Sequence, residues 1–235
     1  MKELILDDGS RLLYQLSVKR VKNMNLRVRP DGSVSVSVSR RISQRQAEDF
    51  IRSHIDWIRR AQSRSLKRTP VTLPAGLVSG DLLRWQGKEY AARVETAETE
   101  AVIVQHEIIV VRVKENSPEA AAQAYVKWYR REARVLLSEA LERVCPRFAA
   151  EGVRKPSLTT RLMASRWGSC SSSKGRITIN LYLCQLPIEL AEFVIGHELC
   201  HFLHPNHSAA FYADLERIMP GYHAADRRLK EYSIL

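Results

Sequence analysis

Four of the chain's seven histidines fall within the eleven residues His197-Glu198-Leu199-Cys200-His201-Phe202-Leu203-His204-Pro205-Asn206-His207, around a single glutamate. On a helix, residues four apart lie one above the other, so His197 and His201 can present two imidazoles to one metal ion. Glu198 then stands where a general base would polarise a water at that metal. A hydrolytic zinc site keeps three protein ligands and one open position, so a third ligand is required. His204 continues the stripe, but seven residues at the helical rise put it roughly 10 Å from His197, against zinc–nitrogen bonds of about 2 Å. Pro205 disfavours helical geometry at His204, and Pro205-Asn206 predicts a break after which the chain can turn back and present His207. The predicted metal ligands are therefore His197, His201 and His207, with Glu198 as catalytic base. Three imidazoles beside an open position favour zinc.

The element carrying these residues must be rigid. Pro187 suits a first helical position, and Ile188, Ala191, Val194, Ile195, Leu199 and Phe202 supply an apolar face to anchor the helix in a core. A second cluster, Arg166-Trp167-Gly168-Ser169-Cys170-Ser171, precedes Lys174-Gly175 and the alternating run Arg176-Ile177-Thr178-Ile179-Asn180-Leu181. Turn signals followed by alternation predict a β-hairpin.

The combination of Arg166-Trp167-Gly168-Ser169-Cys170, the strand ending in Asn180-Leu181, Val194-Ile195-Gly196-His197-Glu198-Leu199, Asn206-His207-Ser208 with Phe211, and Met219-Pro220-Gly221-Tyr222 resembles the YgjP-like metal-dependent hydrolase family, which is related to the M48 metallopeptidases. The resemblance spans nearly the whole chain and is tightest over residues 160 to 223. The histidine spacing is also similar to that of SprT-type zincin proteases that act on DNA-bound proteins. The resemblance implies ligands at His197, His201 and His207 and a base at Glu198, in agreement with the geometric argument. It further implies a zincin-like catalytic domain, with the active helix beneath a small mixed sheet whose edge can pair with an extended peptide. Metzincins share the histidine spacing but place Gly where this chain has His204. Met219 is as well explained by core filling as by a methionine turn.

The chemistry expected is metal-assisted hydrolysis of a peptide bond: zinc brings its water's ionisation toward neutrality, and Glu198 takes the proton and passes it to the leaving amine. Arg166, Trp167, Tyr212, Tyr222 and His223 are candidate substrate-binding residues, and Arg166, Tyr212, Tyr222 or His223 could donate to the developing oxyanion. Two other readings use the same residues. A nucleoside triphosphate pyrophosphatase would hold its substrate with Arg166 and the basic front of the chain and would demand added magnesium or manganese. A nucleic-acid-binding module would use the metal structurally, but then Glu198 has no task and a fourth protein ligand is needed.

The 235 residues, 45% of them hydrophobic, can bury a sizeable core as one large domain or two small ones. No apolar run approaches a membrane span, and acids at Glu3, Asp7 and Asp8 stand where a signal peptide would be apolar, so a soluble, cytoplasmic protein is expected. Cys145, Cys170, Cys184 and Cys200 form no Cys-x-x-Cys pair and predict neither a disulfide framework nor a zinc knuckle.

The expected fold class is α+β, a β-rich N-terminal part followed by the zincin-like metallohydrolase domain. Residues 1–70 form a basic β-rich segment plus helix, 71–117 a second β group, and 118–235 the catalytic domain. Strands are predicted at Leu12 to Val18, Asn25 to Arg29 and Ser33 to Val38, then one helix from Gln44 through about Arg68. Thr69-Pro70 to Gly80 is a candidate linker. Strands follow at Leu82 to Trp85, Tyr90 to Val94, Val102 to Val104 and Ile108 to Val113, with a turn at Gly87-Lys88. Pro118 opens a long helix through Tyr125, Trp128, Leu136, Leu141 and Phe148. Residues 1–69 hold sixteen Lys/Arg against seven Asp/Glu, a net +9 of the chain's +11. Such a surface attracts phosphates, which makes a nucleotide, a nucleic acid or an acidic protein a candidate partner, although a solvated basic helix face would carry the same residues.

Overall fold

In the computed structural model, which describes residues 1–29 and 31–234 (Ser65 and Leu66 by their backbone alone), alternation in the first seventy residues becomes a four-stranded sheet. Its strands are β1 (Lys2–Ile5), β2 (Arg11–Val18), β3 (Asn25–Val28) and β4 (Val34–Val38), in the order β1-β2-β4-β3. The period of two buries Val34, Val36 and Val38 and leaves Ser35 and Ser37 on the other face. Helices α1 (Gln44–Ser53) and α2 (Ile55–Leu66) contribute Ala47, Ile51 and Ile58 to the same core. Ser43 and Gln46 form a capping box at the start of α1.

The single helix expected from Gln44 is thus two. The break is at His54, where the backbone leaves helical geometry (φ −115°, ψ 14°). The His54 ring bonds back to the Phe50 carbonyl at 2.9 Å and lies 4.4 Å from the Phe50 ring, which stabilises the kink locally. The expected linker also begins as a strand, β5 (Thr69–Val71), because a distant C-terminal strand supplies its partner. Thr69 N–H donates to the Glu231 carbonyl at 2.8 Å. One compact unit accordingly comprises Met1–Pro70 and Glu231–Ser233, and the other Val71–Lys230 with Ile234.

The second unit opens with β6 (Leu82–Trp85), β7 (Lys88–Thr96), β8 (Ala101–Gln105) and β9 (Ile108–Val113), ordered β6-β7-β9-β8. Trp85 pairs with Lys88, so the turn is Gln86-Gly87, one residue earlier than predicted. Both turn residues have positive φ (50° and 77°), the geometry that matches strand twist in a two-residue hairpin. Ser117 caps α3 (Pro118–Val144) by accepting from the Ala120 N–H. Phe148 falls instead in a short 3-10 helix, Cys145–Glu151, because Pro146 lacks the N–H that would continue α3. Strands β10 (Ser157–Arg161), β11 (Gly168–Ser171) and β12 (Arg176–Asn180) form a sheet ordered β10-β12-β11. The predicted hairpin is β11–β12, antiparallel, and β10 joins β12 in parallel. Helices α4 (Ile188–Cys200), α5 (Ala209–Ile218) and α6 (Tyr222–Leu229) follow, and β13 (Tyr232–Ile234) pairs with β5. The mixture of small sheets and helices is α+β. Among the described residues no helix is long and apolar enough to cross a membrane.

Candidate metal centre

Helix α4 is held on several sides before its last turn is reached. Leu190, Ala191 and Ile195 have no exposed surface. The β6–β7 turn seats against the helix start: a Cβ on Gly87 would lie 2.9 Å from the backbone nitrogen of Pro187. Met219 packs on Gly196, its Cε 3.1 Å from where a Cβ would stand, so it fills the space beneath the helix. His197 and Glu198 occupy the last turn, and His201 caps it.

The chain then turns as the Pro205-Asn206 signal predicted, with the His204 N–H donating to the Cys200 carbonyl before the backbone returns to His207. Ser208 caps α5 by accepting from the Phe211 N–H. One potential ligand atom from each of His197, His201 and His207 falls within 4.8 Å of the others, and the Nε2 atoms of His197 and His207 are 2.9 Å apart. Donors of a tetrahedral zinc site lie roughly 3.3 Å apart, so the three side chains fit such an ion with minor rotation. Burial pushes His197 down to about 4, with His201 and His207 adding to the effect, and burial lowers His201 as well. Neutral imidazole is the form that binds a metal.

His204 is turned away from the triad. Its Nε2 pairs with Asp214 Oδ2 at 2.8 Å, and its carbonyl accepts from Nδ1 of His201 at 3.0 Å. That second bond assigns the His201 proton to Nδ1 and frees Nε2 for an ion. Arg217 in turn donates to Asp214 and to Glu151. The fully buried Phe211 ring forms the floor, its centroid 5.0, 4.8 and 4.9 Å from those of His197, His201 and His207.

Glu198 is buried, with 6% exposure, and this burial raises its carboxyl to about 7 against the opposing pull of the Arg166 guanidinium. Gly168 of β11 lies so close that a Cβ there would be 2.6 Å from Glu198 Oε1. Arg166, Gly168, Ser169 and Cys170 form one wall of an open cleft of about 570 Å³, whose other lining includes the three histidines and Glu198. Burial and the Glu198 charge push the Cys170 thiol up to about 11, so it remains protonated and is a poor nucleophile near neutrality.

Of the candidate substrate residues, Arg166 lines this cleft and Trp167, Tyr212, Tyr222 and His223 do not. Tyr212 stacks on His207 (6.1 Å between ring centroids) and on Tyr222 (6.4 Å), which stacks on Phe193. His223 lies on exposed surface near Glu216. Two polar residues had no assigned role in the sequence reading. Asp214 is ten residues from its partner His204, a separation that no helical spacing signals. Asn180 is fully buried and donates to the carbonyls of Met163 and Arg166 at 2.8 and 2.9 Å, pinning the segment that leads into β11. Its place at the end of an alternating strand was the available signal.

Residues 22–232 match the model of the YgjP-like family, metallopeptidase domain. The chain belongs to the YgjP-like family. Membership places it among metal-dependent peptidases in the general sense and implies a metal ion, for which the His197, His201 and His207 cluster is suited. No curated protein matches the chain. The crystal structure of the metallopeptidase zymogen of Pyrococcus abyssi abylysin aligns with 42% of this chain and 99% of its own, at 20% identity and a TM-score of 0.37, and nothing about this chain follows from so slight a likeness.

Proposed function

We propose that the second unit is a zinc metallopeptidase with a zincin-like site, in which His197, His201 and His207 hold the ion and Glu198 is the catalytic base. The observation that carries this reading is a buried carboxylate directly beside a three-imidazole cluster, at the edge of an open cleft. Zinc bound there would supply Lewis acidity toward water and toward a substrate carbonyl. Glu198 accepts the proton of the attacking water and returns it to the leaving amine, a transfer its burial beside Gly168 orients. Strand β11 is an edge of its sheet and lines the cleft, so its backbone can pair with an extended peptide and hold the scissile bond before Glu198. The guanidinium of Arg166, on the same wall, is placed to balance negative charge developing in the transition state.

Glu198→Gln preserves size and leaves the histidines intact. The expected result is cleavage of unfolded protein reduced about 10²- to 10⁴-fold, with zinc content by elemental analysis unchanged. Unchanged cleavage in that variant would sink the assignment. Release of pyrophosphate from nucleoside triphosphates, lost in the variant and dependent on added magnesium, would replace the peptidase with a nucleotide hydrolase.

A further inference from the structure

The first unit carries a cleft of its own. Strands β2 and β4 are adjacent and parallel, with Val18 opposite Val38, so both leave the sheet at the same end. Lys19 N–H still donates to the Val38 carbonyl at 2.8 Å, holding the two exits together. The loops that follow enclose about 680 Å³ and line it with five cations, Lys19, Arg20, Lys22, Arg40 and Arg41. The rest of the lining is two valines and a serine.

All five cations are exposed, and their side chains make no hydrogen bond or ion pair with any described residue. Elsewhere in the unit, Arg11, Arg52 and Arg59 are paired with Glu3, Asp7 and Asp8. Five like charges converging without a carboxylate repel one another, and a ligand of opposite sign relieves that repulsion. Helix α1, which begins just after the second loop, has no acidic residue in its first turn to compete for the cations.

The lining also limits what the ligand can be. It contains no aromatic ring on which a base could stack and no carboxylate to accept from a sugar hydroxyl or a base edge. A nucleic acid held here is therefore held through its phosphates, which position it without reading its sequence. Five cations on two loops, within a unit holding sixteen Lys/Arg against seven Asp/Glu over residues 1–69, suit a run of phosphates better than one small anion. We propose that this cleft binds the sugar–phosphate backbone of nucleic acid without sequence preference. The inference is independent of the metal centre and of the reaction assigned to it.

The test is fluorescence anisotropy of the full chain with labelled oligonucleotides of two unrelated sequences, single- and double-stranded, across a salt series. Equal affinity for both sequences is expected, with log K falling against log salt by about 0.9 per duplex phosphate engaged, or about 0.7 on single strands. The single- and double-stranded arms identify which backbone is preferred. Lys19→Gln/Arg20→Gln/Arg40→Gln/Arg41→Gln should weaken binding at least tenfold and flatten the salt slope. Arg84→Gln/Arg112→Gln/Arg131→Gln/Arg143→Gln removes equal charge from the second unit and should leave affinity within about twofold. The pairs Lys19→Gln/Arg20→Gln and Arg40→Gln/Arg41→Gln, one per loop, should each give part of the loss, so the test survives if the fourfold variant fails to fold. Equal weakening by both fourfold variants would reduce the effect to net charge and overturn the proposal. So would preferential binding of inorganic triphosphate, binding of phosphatidylserine vesicles without oligonucleotides, or no binding at low salt.

Discussion

At the scale of single residues, the arrangement of the metal centre depends on side chains that touch no ion. His201 is aimed by the carbonyl of His204, and His204 is held by Asp214. Asp214→Ala removes that hold, and zinc affinity measured by competition with a chromophoric chelator is expected to fall about 10- to 100-fold. Asp214→Asn can still accept from His204 and should retain most of the affinity. Identical losses in both would point to the carboxylate's charge rather than its hydrogen bond. Gly168 bears on Glu198, the proposed base, instead of on the histidine cluster. A methyl group 2.6 Å from Glu198 Oε1 must displace the carboxylate, so Gly168→Ala should cost on the order of 10²-fold in turnover with bound zinc unchanged. Full activity in that variant would mean that Glu198 need not sit where the structure holds it.

At the scale of elements, periodicity made the sequence readable where one face of a strand or helix is buried. Val34, Val36 and Val38 alternate with serines, and Ser117-Pro118 announces α3, so these elements lie close to their expected positions. The clustering of His197, His201 and His207 was readable for a related reason: four histidines and a glutamate within eleven residues, with Pro205 breaking the helix, leave few geometries. What was hidden depends on partners distant in sequence. Strand β5 exists because Glu231–Ser233 return to it, β10 because it lies parallel to β12, and the His204–Asp214 pair because α5 folds back over the loop. The break at His54 was hidden differently, since Phe50, Ile51, Ile55 and Ile58 keep a helical period on both sides of it. The link between the β6–β7 turn and α4 is testable at this scale. Gly87 has φ 77° and would bring a Cβ within 3.0 Å of Pro187, so Gly87→Ala meets both backbone strain and a clash with backbone. The conformational part alone costs about 1–3 kcal/mol. A lower denaturant midpoint together with slower peptide cleavage is expected, because the turn braces the start of the helix that bears Glu198. A lower midpoint with unaltered cleavage would show that the turn supports the fold without positioning the site.

At the scale of the whole molecule, the first unit is the electrostatically unusual part: its few carboxylates sit among many cations. Three of them are held below their ordinary range. Asp8 is held well below by hydrogen bonds from Ser10 and Arg59, Asp31 by bonds from Ser33, and Glu48 by bonds from Gln44 and Tyr14. In the unfolded chain these groups titrate near 3.8 for Asp and 4.5 for Glu. On acidification the unfolded state therefore takes up protons before the folded state does. The stabilisation is complete above the unfolded values and is lost as pH falls through the depressed folded ones. Each protonation also leaves the surrounding Lys and Arg less opposed, which adds self-repulsion in the same direction. Asp8 and Asp31 are exposed and Glu48 is half-buried beside Tyr14, so the contributions of the two aspartates are small and screened by salt. Asp8→Asn isolates one of them. The variant should melt below the wild type at pH 7, and the gap should narrow steadily as pH falls below about 4, more sharply at low ionic strength. A gap that stayed constant down to pH 2 would mean that Asp8 acts through hydrogen-bond geometry alone, and the acid sensitivity of this unit would then have to originate in its other carboxylates.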